Sequence, residues 1–264
     1  MDLGIKGKRA IVLGASKGVG YASALALAAE GVSVSVSGSN LERAEAAAKK
    51  ITDATGTLAV GFEGDVTNSD NMNALYESSK EALGGPIDIL FNNHGGPAFG
   101  LAEELDEQEL ISEFQNMVLS LIRMTSLVLP DMKASKWGRI ITVGSTAIVQ
   151  PIPNYVLSNT LRGAIVNYMK TLAGEIIADG ITVNIVSPSS VLTDRTRQGA
   201  RVNAEKQGVT PEEILAQREA ALPSGRFGTT EEFGGTVAFL CSQYGGYCSG
   251  SNWRLDGGLV KSIV

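Results

Sequence analysis

A serine, a tyrosine and an asparagine lie close enough in this sequence to act on one small molecule. Ser145 stands ten residues before Tyr155, and Tyr155 stands four before Asn159. A phenol can hand over a proton, a hydroxyl can hold a carbonyl oxygen by a hydrogen bond, and a neutral amide can bond a sugar hydroxyl. Stepping outward, residues 140–143 form a short β-branched run that predicts a buried strand, with Ser145 at its carboxyl edge. Pro151 and Pro153 then break the path. Over 154–178, apolar residues at Val156, Leu157, Leu161, Ile165, Val166, Met169 and Leu172 have the spacing of a buried helix. Tyr155 and Asn159 are then one helical turn apart. Arg162 lies two turns along the same face, ~10 Å away, and must fold back to reach the tyrosine. A structural or subunit-interface arginine is therefore favoured over a catalytic cation.

A second group belongs to the binding of a dinucleotide. Gly14-Ala15-Ser16-Lys17-Gly18-Val19-Gly20 follows a predicted strand over 9–13 and opens a predicted helix over 21–30. Glycines in that place let backbone N–H groups approach a pyrophosphate at the positive end of the helix dipole. Residues 32–37 alternate as a strand should and run into Gly38-Ser39-Asn40. An acidic residue there would bond the adenosine ribose of NAD, and none is present. Ser39 and Asn40 offer hydrogen bonds, and Lys17, with Arg43 in support, can pair with a 2′-phosphate. NADPH/NADP+ is the expected cofactor, ahead of NADH.

Bulk properties exclude several classes. The 264 residues suffice for one large α/β domain, and no Pro- or Ser-rich linker divides them. A net charge of -6 argues against a nucleic-acid partner or an anionic membrane. Cys241 and Cys248 match neither a disulfide framework nor metal-ligand spacing, so buried thiols in a reducing cytoplasm and no metal are expected. The amino-terminal residues lack the apolar core of a signal peptide, and no run approaches the ~20 apolar residues of a membrane span.

Together these segments resemble the short-chain dehydrogenase/reductase family, from about Lys6 to Lys261. The family carries Tyr-x-x-x-Lys, where this chain has Tyr155-Val156-Leu157-Ser158-Asn159. The resemblance implies that Ser145 orients a carbonyl, Tyr155 gives the proton, and Asn159 stands where a lysine would bind the nicotinamide ribose and lower the tyrosine's pKa. It further places Asp65 and Val66 at the adenine, and the Asn92-Asn93-His94-Gly95 turn, with Asn92 and Gly95, along the ribose. Pro188, Val191 and Thr193 are placed at the nicotinamide. Departures are His94 for alanine, Ser189 for glycine, and Met117 for an asparagine that holds a relay water, with Asn116 able to substitute only on an irregular helix. His94, the only histidine, is expected to bond backbone.

Strands alternating with helices imply a Rossmann fold, a doubly wound parallel β-sheet with helices on both faces, in a single dinucleotide-binding catalytic domain over 1–264. A substrate lid is expected over 189–225, a long helix over 108–133, and a last helix capped by Thr230. The function expected is NADP(H)-dependent reduction of a small-molecule carbonyl by hydride transfer, in a cytoplasmic homotetramer or homodimer. The alternative is a noncatalytic NADP(H)-binding sensor or scaffold.

Overall fold

The computed structural model describes residues 1–64 and 68–263. Seven strands pair in the order β3-β2-β1-β4-β5-β6-β7, every neighbouring pair parallel. They are β1 (Arg9–Val12), β2 (Ser33–Gly38), β3 (Ala59–Glu63), β4 (Ile89–Asn92), β5 (Gly138–Val143), β6 (Ile181–Pro188) and β7 (Asn252–Leu255). β4 and β5 are buried along their whole length and β6 as far as Ser187, because helices cover both faces, which is why β4 reads Ile89-Leu90-Phe91 and β5 and β6 are rich in β-branched residues.

One face carries α1 (Gly18–Ala29), α2 (Leu41–Thr55) and α9 (Thr230–Cys241), packed around Leu27, Ile51, Phe91 and Phe233. The other carries α3 (Ser69–Leu83), α4 (Glu107–Phe114), α5 (Ser120–Ser135) and α6 (Val156–Ile176), packed around Met72, Met117, Leu121, Leu157 and Leu161. Each large apolar side chain buried here contributes roughly 1.5–3 kcal/mol relative to exposure. The chain reverses its winding between β1 and β4, so the crevice that such a sheet opens to ligands lies outside the carboxyl ends of these strands.

Local signals explain the boundaries. Asn40 caps α2 by accepting a hydrogen bond from the Arg43 amide, and Gly56 ends that helix in the left-handed region. α9 is capped by Thr229, not by the expected Thr230. Thr229 and Glu232 form a reciprocal capping box, which Arg226 reinforces through a bidentate pair with Glu232. The expected helix over 108–133 is divided: between α4 and α5 the residues Gln115–Leu119 make a π turn, with Ser120 donating its N–H to the Gln115 carbonyl. The segment expected as a lid holds two helices, α7 (Asp194–Gln207) and α8 (Pro211–Ala220), with a small apolar contact through Ala200, Ala204 and Ile214. Among the described residues, no helix is long and apolar enough to cross a membrane.

Candidate active site

The turn after β1 is shaped by close approaches. Gly14 and Gly18 have φ of +59° and +61°, in the left-handed region that favours glycine. At Gly20 a Cβ would lie 2.3 Å from the Gly14 carbonyl oxygen, so only hydrogen lets helix α1 start this near the strand. A Cβ on Gly18 meets only a Thr193 methyl at 3.9 Å, so its outer side is open. Lys17, the residue before α1, makes no side-chain cap, and the first bond of the helix runs from the Tyr21 amide to the Lys17 carbonyl. Helix-start N–H groups around Gly18, Val19 and Gly20 thus have no side-chain acceptor, which fits a pyrophosphate. Ser16 approaches Gly38 at the end of β2, where a Cβ would sit 3.2 Å from its hydroxyl. Ser39, Lys17 and Arg43 are exposed, and neither cation has an ion pair among the described residues. Asn40 keeps its amide nitrogen for a ligand, while its oxygen caps α2. Asp65 and Val66 lie outside the described residues.

Next to this turn, the loop after β4 is tied down by asparagines. Asn93 donates to the Gly14 carbonyl at 3.1 Å, which locks the two loops together. Asn92, 1% exposed, donates to Thr125 at 3.2 Å while its own oxygen has no partner among the described residues. His94 does bond backbone: its Nδ1 lies 2.5 Å from the Gly95 carbonyl oxygen, so Nδ1 carries the proton. Its Nε2 is buried and without a partner among the described residues. Burial, then the charges of Arg162 and Arg195, push its pKa down to about 4, so the ring is neutral at ordinary pH. No atom stands within 4 Å of where a Cβ on Gly95 would point, so the loop is open there.

Beyond β5, Ser145 starts a short 3-10 turn, Thr146–Ile148, and its oxygen accepts from the Ala147 amide at 3.1 Å. Tyr155 is the residue before α6. It is half-buried, its ring packs on Phe99 with centroids 4.7 Å apart, and its backbone forms a bridge with Gly100. Asn159 is engaged at both amide atoms. Nδ2 donates to the Ile152 carbonyl at 3.0 Å, and Oδ1 accepts from the Ile152 amide at 3.3 Å. One Nδ2 hydrogen remains for a ribose hydroxyl, and the main contact of this side chain is with the loop that delivers Tyr155. Asn154, in the left-handed region at φ 64°, makes the last bend of that loop.

Arg162 folds back along α6, as it must to approach this segment. Its Nε donates to Ser158 at 3.2 Å and its Nη1 to the Val143 carbonyl at 2.8 Å. It is 8% exposed and has no ion pair among the described residues; burial and then Arg195 lower its pKa to about 10.

On the far side, β6 ends at Pro188. Val191 is buried, and its carbonyl accepts from Thr196. Thr193 caps α7 by accepting from the Thr196 amide at 3.3 Å, so its hydroxyl already has a partner in the protein. A cavity of about 420 Å³ lined by Val191, Leu222, Arg226 and Arg254 lies behind this loop, apart from Ser145 and Tyr155.

Three contributors escape a reading of the sequence. Phe99 backs Tyr155, Ile152 holds Asn159, and Arg195 donates to the Gly96 and Pro97 carbonyls at 2.9 and 3.1 Å, closing the β4 loop against α7. Arg195 stands two residues after Thr193, but its partners lie about a hundred residues away and only the fold reveals them. Met117 is fully buried beside Leu157 and Leu161, and Asn116, on the π turn, is half-buried and gives its carbonyl to Ser120 at 2.5 Å.

Residues 14–260 match the family model described as enoyl-(acyl carrier protein) reductase. The chain is 32% identical over 260 residues to D-beta-hydroxybutyrate dehydrogenase of Cupriavidus necator, covering 97% of this chain and 99% of that one. It is 30% identical over 262 residues to 3-oxoacyl-[acyl-carrier-protein] reductase of Aquifex aeolicus, covering 98% and 100%. The solved structure of L-sorbose reductase from Gluconobacter frateurii, complexed with NADPH and L-sorbose, superposes with a TM-score of 0.94 at 30% identity over the whole of both chains.

Proposed function

We propose, from the premise that this chain is an oxidoreductase belonging to the short-chain dehydrogenase/reductase family, that it uses NADPH to reduce the carbonyl of a small molecule to an alcohol. The observation that carries the reading is one of placement. The uncapped glycine turn, the β4 loop, Ser145 and Tyr155 all follow the carboxyl ends of adjacent parallel strands or open the helix next to them. Bound at the glycine turn, the dinucleotide would supply the hydride.

The chain's own groups do the rest. Backbone N–H groups at Gly18, Val19 and Gly20 hold the pyrophosphate, and Lys17 with Arg43 takes the 2′-phosphate. A relative with NADPH in its solved structure and the lack of a carboxylate after β2 favour this cofactor over NADH. Ser145 donates a hydrogen bond to the carbonyl oxygen, and Tyr155 delivers the proton to the same oxygen as it becomes a hydroxyl. A neutral phenol is the form required for reduction, so a site lacking a cation at Asn159 suits this direction better than alcohol oxidation. Asn159 acts as a positioning residue, through the Ile152 loop. A homo-oligomer in the cytoplasm completes this reading.

A second reading is favoured by that same asparagine: a nucleotide-binding sensor or scaffold without redox chemistry. One experiment separates them. NADPH consumption with a panel of aldehydes, ketones and 3-oxoacyl thioesters should fall at least ~100-fold in Tyr155→Phe with cofactor binding unchanged. Turnover that ignores the substitution removes the proton from Tyr155, and tight NADPH binding without turnover across the panel favours the sensor.

A further inference from the structure

We infer that Arg162 and Arg195 form a subsite for a carboxylate carried by the substrate, so that the carbonyl compound is an oxo acid and its product a hydroxy acid. This deepens the carbonyl-reductase reading and rests on it.

The two guanidiniums come from different elements and are fastened to the ends of neighbouring strands, Arg162 at Val143 of β5 and Arg195 at Gly96 and Pro97 in the loop after β4, with no ion pair to either among the described residues. Arg162 approaches from α6 and is almost wholly buried, yet only Nε and Nη1 have described partners, a hydroxyl and a carbonyl. A guanidinium has five N–H donors, and Nη2 carries two of those left over. Arg195 approaches from α7, fixed to the Gly96 and Pro97 carbonyls and lying 5.8 Å from the centre of the Phe99 ring. Each of these partners is neutral. The charges are near enough that Arg195 depresses the pKa of Arg162 and both depress that of His94. Like charges gathered where one of them is desolvated oppose each other unless an anion joins them, and a planar carboxylate matches the guanidinium fork.

His94 sharpens the choice of ligand. With its proton held on Nδ1 by Gly95, the buried Nε2 is an acceptor lacking a donor. It repels a carboxylate oxygen, which leaves the anion to the two guanidiniums, and it can accept from a hydroxyl of the ligand. The distance to the chemistry is short as well: the Phe99 ring packs on the Tyr155 ring with centroids 4.7 Å apart and has the Arg195 guanidinium 5.8 Å from its centre. A small molecule with its carboxylate and carbonyl a few bonds apart spans that interval. The dinucleotide is the other source of an anion, but its pyrophosphate already has the glycine turn after β1.

The test compares short 2- and 3-oxo acids with their methyl esters, which differ in charge and little in shape. Calorimetric titration of the matching hydroxy acids into enzyme saturated with NADP+ gives a readout that needs no turnover. Arg195→Gln changes an exposed side chain and should fold; Arg162→Gln is included with its thermal midpoint, and Arg162→Lys keeps the charge. Expected is a preference for acid over ester that falls at least ~10-fold in both Gln variants, with the Kd for NADPH within about twofold. Arg162→Lys should retain part of it. Equal losses for acid and ester, or a parallel rise in the Kd for NADPH that assigns the anion to the cofactor, overturns the subsite. Hydroxy acids that bind without any turnover of the oxo acids leave the subsite standing and sink the reductase reading. Absence of calorimetric binding by any of the acids sinks the subsite even where neutral ketones are reduced.

Discussion

Strand β5 has a buried arginine at each end, and the two are held very differently. At the amino end Arg139, 4% exposed, donates to the carbonyls of Gly138, Gly180 and Ser242 and lies 4.4 Å from the centre of the Trp137 ring. At the carboxyl end Arg162, 8% exposed, has one carbonyl, one hydroxyl and a second arginine for company. Neither has an ion pair among the described residues. The first gives both terminal nitrogens to backbone carbonyls under an aromatic face, with only its Nε unpartnered among the described residues, and joins β5 to the turns beneath the sheet. The second has no described partner on Nη2, at the edge where ligands bind such sheets. The same residue type therefore serves cohesion at one end and recognition at the other, and position at the sheet edge, not burial, distinguishes the two.

The largest effect expected separates these roles by stability. Arg139→Ala should cost about 3–5 kcal/mol, because it strips three carbonyls of a charged donor and opens a gap beneath Trp137. Urea unfolding measures this, and kcat/KM per folded molecule should stay unchanged. A matching loss of activity per folded molecule would erase the contrast.

The carboxyl edge has its own signature in pH. The His94 pKa is near 4 when folded and about 6.5 when unfolded, so between these values the unfolded chain binds more protons. His94 therefore contributes nothing unfavourable above about pH 6.5, and stability falls as pH drops from there toward 4, by about 1–3 kcal/mol from this one group. Unfolding at pH 7.5 and pH 4.5, the ends of roughly that window, should give a smaller difference for His94→Gln than for wild type. An unaltered difference would mean that the ring is not held neutral by its surroundings.

A smaller change concerns the clasp on the catalytic loop. Asn159→Ala removes two hydrogen bonds to Ile152, worth about 0.5–1.5 kcal/mol each. Thermal stability should drop slightly while kcat falls more than NADPH affinity, since the clasp holds Tyr155 and not the pyrophosphate. A weakened cofactor complex with kcat intact would move Asn159 to the ribose.

The glycine turn was readable in the sequence because its constraints are local: a positive φ at Gly14 and Gly18 and a near approach at Gly20 demand glycine whatever surrounds them. The strands and helices were readable for the same reason, through caps and periodicity. The partners of Asn159, Arg162 and Arg195 were not, because only the fold brings Ile152, Val143 and Gly96 near them. Thr229 in place of Thr230 as the α9 cap shows how a neighbouring pair of equivalent residues hides which of them the capping box selects. The divided helix escaped because a π turn leaves no compositional mark in a run such as Gln115-Asn116-Met117-Val118-Leu119.

That π turn can be thought of as a phase setting. Each residue of an α-helix advances the side chains by about 100°, so the one additional residue looped out over Gln115–Leu119 rotates everything before it relative to α5. With it, Met117 faces the apolar layer of α6, while Ile111 and Phe114 remain 44% and 38% exposed. Deleting a single residue there would restore an uninterrupted helix and swing α4 by more than a quarter turn, redirecting its side chains toward different neighbours with no change in their chemistry.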